Sequence, residues 1–195
     1  MPPLPPATQA LLLVNVAAFC LDLFLGPWFT RSLALWPLGG GFLPWQVVSY
    51  AFLHGSFMHL LFNMLGLWMF GADLERLWGQ KRYLQLYFAS VLTAALTQLL
   101  VANLTGAIYP TVGASGGVFG LLLGFGMIFP NRTVVLLIPP IPMKAKVFVV
   151  VYGVLELLLG VWQPTGGVAH FAHLGGMLGA FLLIRYWQGR APFGR

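Results

Sequence analysis

The chain has 195 residues, of which 59% are hydrophobic and 7% are charged, and its formal net charge is +6. Roughly a quarter of the residues of a soluble domain are charged, so this composition excludes an ordinary soluble protein and predicts a membrane protein. The basic residues stand in short connections between apolar runs, which indicates a role in membrane orientation and argues against nucleic-acid binding.

Apolar runs dominate the chain from its first residues. A helix needs roughly 20 apolar residues to span the hydrocarbon core. Six runs fit this requirement, and we predict an all-α membrane protein with six transmembrane helices in a single domain, residues 1–195. The predicted helices cover residues 8–26, 51–72, 83–102, 114–129, 145–162 and 168–187. No small-residue cleavage pattern follows the first run, so we expect a retained helix and not a removed signal peptide.

The ten Lys and Arg residues are distributed unevenly between the predicted connections. Only Arg31 follows an odd-numbered helix; the other nine are Arg76, Lys81, Arg82, Arg132, Lys144, Lys146, Arg185, Arg190 and Arg195. Since basic connections remain in the cytoplasm, both termini are expected there. We therefore expect a multi-pass protein of a bacterial-type inner membrane.

Two connections have unusual compositions. The one from Pro27 to Tyr50 contains Trp28, Trp36 and Trp45, and amphipathic aromatic residues favour the membrane interface. We expect a partly folded segment lying on the outer leaflet. Residues 138–142 contain three prolines, which disfavour a regular helix, so a turn is predicted between helices four and five.

Polar residues form four clusters in the predicted helices or at their ends, where they are costly and therefore indicate function. One of them, Glu75 with Asp73 and Arg76 at the inner end of helix two, is expected to be a structural network at the cytoplasmic rim. His59 and Asn63 in helix two are four residues apart and share one helix face. Ser115 begins helix four among small residues, Gly113, Ala114, Gly116 and Gly117. Helix six carries His170 and His173, followed by Gly175, Gly176, Gly179 and Ala180.

Acyl transfer is the chemistry that would use these groups. A serine hydroxyl needs a base, and imidazole is the commonest one. The backbone N–H of Ser115 and the side chains of His59 and Asn63 could stabilise the oxyanion at the positive end of a helix. Small residues directly after His173 let helix six approach helix four, which favours His173 as the base; His170 is the alternative.

Other readings of the same residues are less favourable. Taken singly, a small-residue motif with a serine is more often a helix-packing feature, and a lone membrane histidine is as often structural as catalytic. A metalloprotease is disfavoured because His-Glu-x-x-His is absent from the sequence and the histidine pair has no acidic base nearby except Glu156 on the preceding helix. Asp22 and Asp73 are predicted near opposite membrane faces, which disfavours aspartyl catalysis. We expect no metal and no cofactor.

The other three clusters together resemble motifs of the rhomboid family of intramembrane serine proteases, and the resemblance covers residues 45–185. The matching segments are His54-Gly-Ser-Phe-Met-His59-Leu-Leu-Phe-Asn63, Gly113-Ala114-Ser115-Gly116 and Ala172-His173-Leu-Gly-Gly176. The resemblance implies a rhomboid-type bundle in which Ser115 and His173 form a dyad without a third acidic member, and it selects His173 over His170. It also implies that His59 and Asn63 line the oxyanion hole.

The same resemblance assigns supporting roles to other positions. Phe119 matches an aromatic residue that packs against the catalytic histidine, and Glu75 matches an acidic structural position. Gln46 stands where many members have Arg, which questions the polar anchoring of the first outer loop. The other departure is Ala180, which stands where a glycine is usual, a small-for-small exchange.

The function implied is an intramembrane serine endopeptidase that cuts transmembrane protein substrates near small or helix-breaking residues. Access is expected beside helices two and five, with residues 163–167 as a cap. The alternative is a non-proteolytic rhomboid-like protein that binds transmembrane helices in the bilayer. A small transporter with a histidine relay is disfavoured, because helix-embedded charge is limited mainly to Glu156 and no inverted repeat of broken helices is seen. The oligomeric state is not predicted.

Overall fold

The computed structural model describes residues 3–135, 140–162 and 169–189, and these residues are mostly helical. The helices are α1 Pro6–Leu25, α2 Pro27–Leu33, α3 Gln46–Ser49, α4 Phe57–Gly66, α5 Ala72–Thr105, α6 Ser115–Ile128, α7 Ala145–Trp162 and α8 His170–Trp187. A 3₁₀ turn, Tyr50–Phe52, precedes α4, and a π-helical turn, Leu67–Gly71, joins α4 to α5. Two short strands, β1 Thr133–Val135 and β2 Pro142–Lys144, form an antiparallel hairpin before α7.

The long helical segment from α4 through α5 is broken at Gly79. Gly79 has φ 74° and ψ 167°, a conformation that glycine adopts without strain. A Cβ atom placed on Gly71 would lie 2.7 Å from the hydroxyl oxygen of Tyr83, so the two sides of the break pack against each other. The segment therefore contains two helices, as the sequence predicts, but with different bounds: the first begins at Phe57 rather than residue 51 and continues beyond residue 72.

Several helices have the length and apolar character of membrane spans. By length and composition the segments Pro6–Leu25, Phe57–Thr105 and Ala145–Trp162 qualify, and the second includes the break at Gly79. The apolar helix α6 has only 14 residues. The architecture agrees with a helical membrane bundle, whereas six separate spans remain a prediction.

The connections collect at two ends of the bundle. At one end Asp73 forms salt bridges with Arg76 at 3.0 Å and with Arg132 at 2.8 Å, and Arg76 also donates to the backbone oxygen of Pro3. The connection after α1 meets the connection after α5 elsewhere, through a β-bridge between Leu35 and Thr111. The end that contains Asp73, Arg76 and Arg132 is the one predicted to be cytoplasmic.

The long connection after α1 is folded and contains α2 and α3. Gln46 is fully buried in it, and its side-chain oxygen accepts hydrogen bonds from the backbone N–H of Trp36 and Leu43. Its amide nitrogen donates to the carbonyl of Ser32 at 3.3 Å. Gln46 therefore anchors this segment through backbone contacts, despite the absence of the usual Arg. Its position relative to a membrane remains a prediction.

The proline-rich stretch between α6 and α7 ends in a strand. Pro142 belongs to β2 and pairs with Val135, so the turn predicted over residues 138–142 does not include this residue. Ile138 and Pro139, also in the predicted turn, lie outside the described residues. A proline is compatible with a strand at its first residue.

Helices α5, α6 and α8 form the centre of the bundle. A Cβ atom on Gly176 of α8 would overlap the backbone of Gly116 of α6, so the two backbones are in direct contact. A Cβ atom on Gly116 would in turn overlap Ala94 of α5. Small residues thus permit the close approach that brings α6 and α8 together at one level.

Candidate active site

Ser115 is the first residue of α6, and the chain turns sharply just before it. Gly113 has φ 131°, a region that favours glycine, and its backbone N–H donates to the carbonyl of Tyr50 at 3.0 Å. A Cβ atom on Gly113 would lie 2.8 Å from the ring of His59. Glycine is therefore required here both by the backbone conformation and by the space beside the serine.

His173 faces Ser115 from α8. Its Nε2 atom lies 2.8 Å from the Oγ atom of Ser115, and the histidine is 8% exposed. The Phe119 ring, one turn after Ser115, is stacked on the imidazole with ring centroids 4.3 Å apart and an interplanar angle of 4°. The two residues that the sequence predicts as nucleophile and base are thus in hydrogen-bonding contact, with the imidazole plane fixed by an aromatic neighbour.

Glu156 of α7 lies on the other side of the imidazole, a contact that the sequence analysis did not predict. Its Oε2 atom is 2.8 Å from Nδ1 of His173 and 2.7 Å from Nδ1 of His170. The family resemblance implied a dyad without a third acidic member, whereas in this structure a carboxylate contacts the predicted base. A clue existed in the sequence, because Glu156 is the only carboxylate in an otherwise apolar helix and such a group needs a partner.

His170, the alternative base, is buried within this cluster. Its ring forms a hydrogen bond with Glu156 and lies edge-on to the His173 ring, with centroids 6.3 Å apart. The potential ligand atoms of Glu156, His170 and His173 lie within 4.8 Å of one another, so these three residues could also hold a metal ion. Hydrogen bonds of 2.7 and 2.8 Å already satisfy the carboxylate oxygen without one.

His59 and Asn63 line the same cavity as Ser115 and His173. Asn63 is buried, and its Nδ2 atom donates to the backbone carbonyl of His59 at 2.9 Å, which fixes the direction of the amide. The His59 ring packs edge-on against His54, with centroids 5.1 Å apart. The two predicted side-chain donors and the serine therefore face one cavity.

The cavity measures about 730 Å³ and extends from Ser115 between α4 and α7. Most of its wall is apolar. The lining residues from α4, the π-helical turn and α7 are His59, Phe62, Asn63, Leu65, Gly66, Met69, Phe70, Phe148 and Tyr152. Residues 163–167, expected to cap the site, lie outside the described residues.

Glu75 is not among the residues that line this cavity. Its carboxylate accepts hydrogen bonds from the backbone N–H groups of Ala7 and Thr8 and from the Thr8 hydroxyl, at 2.6 to 2.9 Å. These N–H groups belong to the first turn of α1, whose donors have no partner within the helix. Glu75 thus joins α1 to α5 as a cap.

Comparisons with known proteins identify relatives over most of the chain. The family model described as "Rhomboid domain" matches residues 42–188. The chain is 33% identical over 135 residues to "Rhomboid protein 1, mitochondrial" of Saccharomyces cerevisiae, covering 68% of this chain and 39% of that protein. It is 28% identical over 188 residues to "Rhomboid protease GlpG" of Yersinia pestis, covering 95% of this chain and 63% of that protein. The chain thus spans less than two thirds of the length of these relatives.

Proposed function

This chain belongs to the rhomboid family, and on that premise we propose that it is an intramembrane serine endopeptidase. It would hydrolyse peptide bonds in or near transmembrane segments of other membrane proteins. The observation that carries the proposal is the 2.8 Å contact between Ser115 Oγ and His173 Nε2 at the polar end of a cavity inside an apolar bundle. Similarity to relatives named rhomboid protease supports it.

The proposed reaction has two steps. Ser115 Oγ forms a bond to the peptide carbonyl carbon while its proton moves to His173 Nε2. The carbon–nitrogen bond then breaks, the amine leaves with that proton, and an acyl-enzyme ester remains on Ser115. In the second step His173 takes a proton from water while the water oxygen forms a bond to the ester carbon. The bond between that carbon and Ser115 Oγ then breaks, His173 returns the proton to Oγ, and the new carboxylic acid leaves.

The negative charge on the carbonyl oxygen needs donors in both steps. The backbone N–H of Ser115 is at the start of α6, where helix N–H groups have no partner within the helix. His59 and Asn63 line the cavity beside it and are the proposed side-chain donors. Removing one such donor typically costs roughly 10²- to 10³-fold in kcat.

The substrate is proposed to enter between α4 and α7, both of which contribute apolar residues to the cavity wall. A transmembrane helix satisfies its own backbone hydrogen bonds, so a peptide bond must leave the helix before a nucleophile reaches it. Small or helix-breaking residues lower the cost of that unwinding. Segments of this kind are the proposed cleavage sites.

Cleavage of a reporter protein with one such transmembrane segment, reconstituted together with the purified protein in liposomes, tests this proposal. We expect cleavage within or next to the segment by wild type, and loss of at least about 10³-fold with Ser115→Ala or His173→Ala. Mass spectrometry of the fragments would locate the cut. Equal cleavage by wild type and Ser115→Ala would exclude this serine as the nucleophile.

A non-proteolytic protein that binds transmembrane helices is the second candidate, since the same cavity between α4 and α7 could hold a helix without cutting it. One variant distinguishes the two candidate functions. Ser115→Ala would leave the function of a binding protein intact, whereas it would abolish that of a protease.

A further inference from the structure

We propose that Glu156 is a positioning residue that holds His173 in the tautomer able to accept the proton of Ser115, which makes the site a three-residue chain from Ser115 through His173 to Glu156. The inference rests on the proposed peptidase function but concerns a residue outside the predicted dyad. Glu156 contributes through the imidazole and does not contact the peptide.

The two hydrogen bonds of His173 define the direction of proton transfer. An ionised carboxylate has only acceptor atoms, so the contact of 2.8 Å to Glu156 requires a proton on Nδ1 of His173. A neutral imidazole then has a lone pair on Nε2, the atom that lies 2.8 Å from Ser115 Oγ. The carboxylate thus keeps the unprotonated nitrogen toward the nucleophile, and it stabilises the imidazolium that forms when the proton arrives.

His170 shares the same carboxylate oxygen and fixes its position. Its Nδ1 atom is 2.7 Å from Oε2 of Glu156, and both histidines belong to α8, three residues apart. One oxygen has two lone pairs, so it can accept from both rings at once. The carboxylate of α7 is therefore held against α8 by two donors, which restricts its movement relative to His173.

The surroundings of the cluster fit a positioning role. Glu156, His170 and His173 are each at most 9% exposed, so the hydrogen bonds are shielded from competing water. The order from nucleophile to base to carboxylate is the arrangement of serine hydrolase triads, which recur on unrelated folds and are recognised by geometry. Glu75 offers a contrast within the same chain, because its carboxylate accepts backbone N–H groups and contacts no histidine.

The test combines the tautomer of His173, read by ¹⁵N NMR of histidine-labelled protein in nanodiscs, with the rate of reaction with a fluorophosphonate probe. The chain has four histidines, so single substitutions assign the signals. In wild type we expect His173 protonated at Nδ1. In Glu156→Gln, which keeps the size but adds an N–H donor, we expect partial protonation at Nε2 and a rate roughly 10²- to 10⁴-fold lower.

Two further variants separate positioning from general stability. Glu156→Asp retains a carboxylate and is expected to react faster than Glu156→Gln and to keep the Nδ1 proton on His173. Glu75→Gln removes the structural carboxylate and is expected to lower the unfolding temperature, while the tautomer of His173 and the rate per folded molecule stay at the wild-type values.

The NMR measurement decides the inference even if the protein is not a peptidase. A folded wild type that does not react with the probe would exclude the proposed function, whereas loss of the Nδ1 proton in Glu156→Gln would still support positioning. An unchanged tautomer and an unchanged rate in Glu156→Gln would overturn the inference. A wild-type tautomer signal that changes on addition of a chelator would also overturn it, since the cluster would then be a metal site.

Discussion

Single residues around the imidazole set the geometry of the site. Phe119 is stacked almost parallel on His173, so it limits rotation of the ring about its side-chain bonds. The Phe119 ring also shields one face of the imidazole. The hydrogen bonds to Ser115 and Glu156 then determine how the imidazole is oriented within its own plane.

Truncation of Phe119 is expected to slow the reaction moderately. An aromatic pair contributes about 0.5–1.5 kcal/mol beyond burial, so Phe119→Ala should lower the fluorophosphonate rate by about 2- to 12-fold. Phe119→Tyr keeps the stacking surface and should stay near the wild-type rate. A wild-type rate in Phe119→Ala would show that stacking does not position His173.

His54 predicts a pH dependence of stability. Burial and the neighbouring His59 lower the pKa of His54 from 6.5 to about 4. Between these values the unfolded chain binds a proton at His54 and the folded chain does not, so stability falls as the pH falls from 6.5 toward 4. At pH 5 the loss is on the order of 2 kcal/mol.

His54→Gln should remove this contribution. We expect the difference between the unfolding temperatures at pH 7.5 and pH 5 to be smaller in His54→Gln than in wild type, in the same detergent. Other groups titrate in this range too, so the comparison of the two proteins is the informative quantity. Identical differences would show that His54 is protonated equally in the folded and unfolded states.

At the scale of elements, the contact between α6 and α8 brings Ser115 and His173 together. Gly116 and Gly176 touch through their backbones, and no flexible side chain separates them. Any atom added to Gly176 must therefore push the helices apart or tilt them, and the catalytic pair lies within one turn of the contact.

Gly176→Ala is accordingly expected to reduce activity strongly. Overpacking typically costs about 1–3 kcal/mol of stability, and a displacement of about 1 Å can cost about 10²-fold in rate. Gly153→Ala is the matched control in α7, because its new methyl group would meet only Met177 at an ordinary contact distance of 3.5 Å. Reporter cleavage per folded molecule measures both, and equal cleavage would contradict a role for the α6–α8 contact.

The sequence predicted the elements better than their relative rotations. Apolar length located the helices, and the small residues around Ser115 indicated where two of them meet. The helix period placed His59 and Asn63 on one face. It could not show that Glu156 of α7 faces α8, because a single polar residue in an apolar helix does not specify its neighbour. The fold of the long connection after α1 could not be predicted either. It depends on hydrogen bonds between the Gln46 side chain and backbone groups, and such bonds leave no pattern in the sequence.

At the scale of the whole molecule, charge distribution predicts orientation. Asp73 binds Arg76 and Arg132 at one end of the bundle, and Arg82 lies over the Trp187 ring, 5.7 Å from its centroid. Basic residues thus collect at the end that also contains Pro3. We expect this end, with both termini, to face the cytoplasm.

Cysteine labelling in intact bacterial cells tests the orientation. In a Cys20→Ser background, a membrane-impermeant maleimide should label Ile108→Cys, which is highly exposed in the connection after α5. It should not label Gln80→Cys, exposed beside the break at Gly79, until the membrane is permeabilised. The reverse pattern would show that the chain is inserted with its basic end outside.

Activation of Ser115 by its contact with His173 can be measured as the gain in intact mass after reaction with a fluorophosphonate. Wild type should gain one probe per chain, mapped to Ser115, and Ser115→Ala and His173→Ala should gain none. Ser90→Ala is the matched control, since the Ser90 hydroxyl donates to the Leu86 carbonyl of its own helix, and it should react like wild type. A folded wild type that gains no probe, or a probe mapped to another residue, would show that Ser115 is not an activated nucleophile.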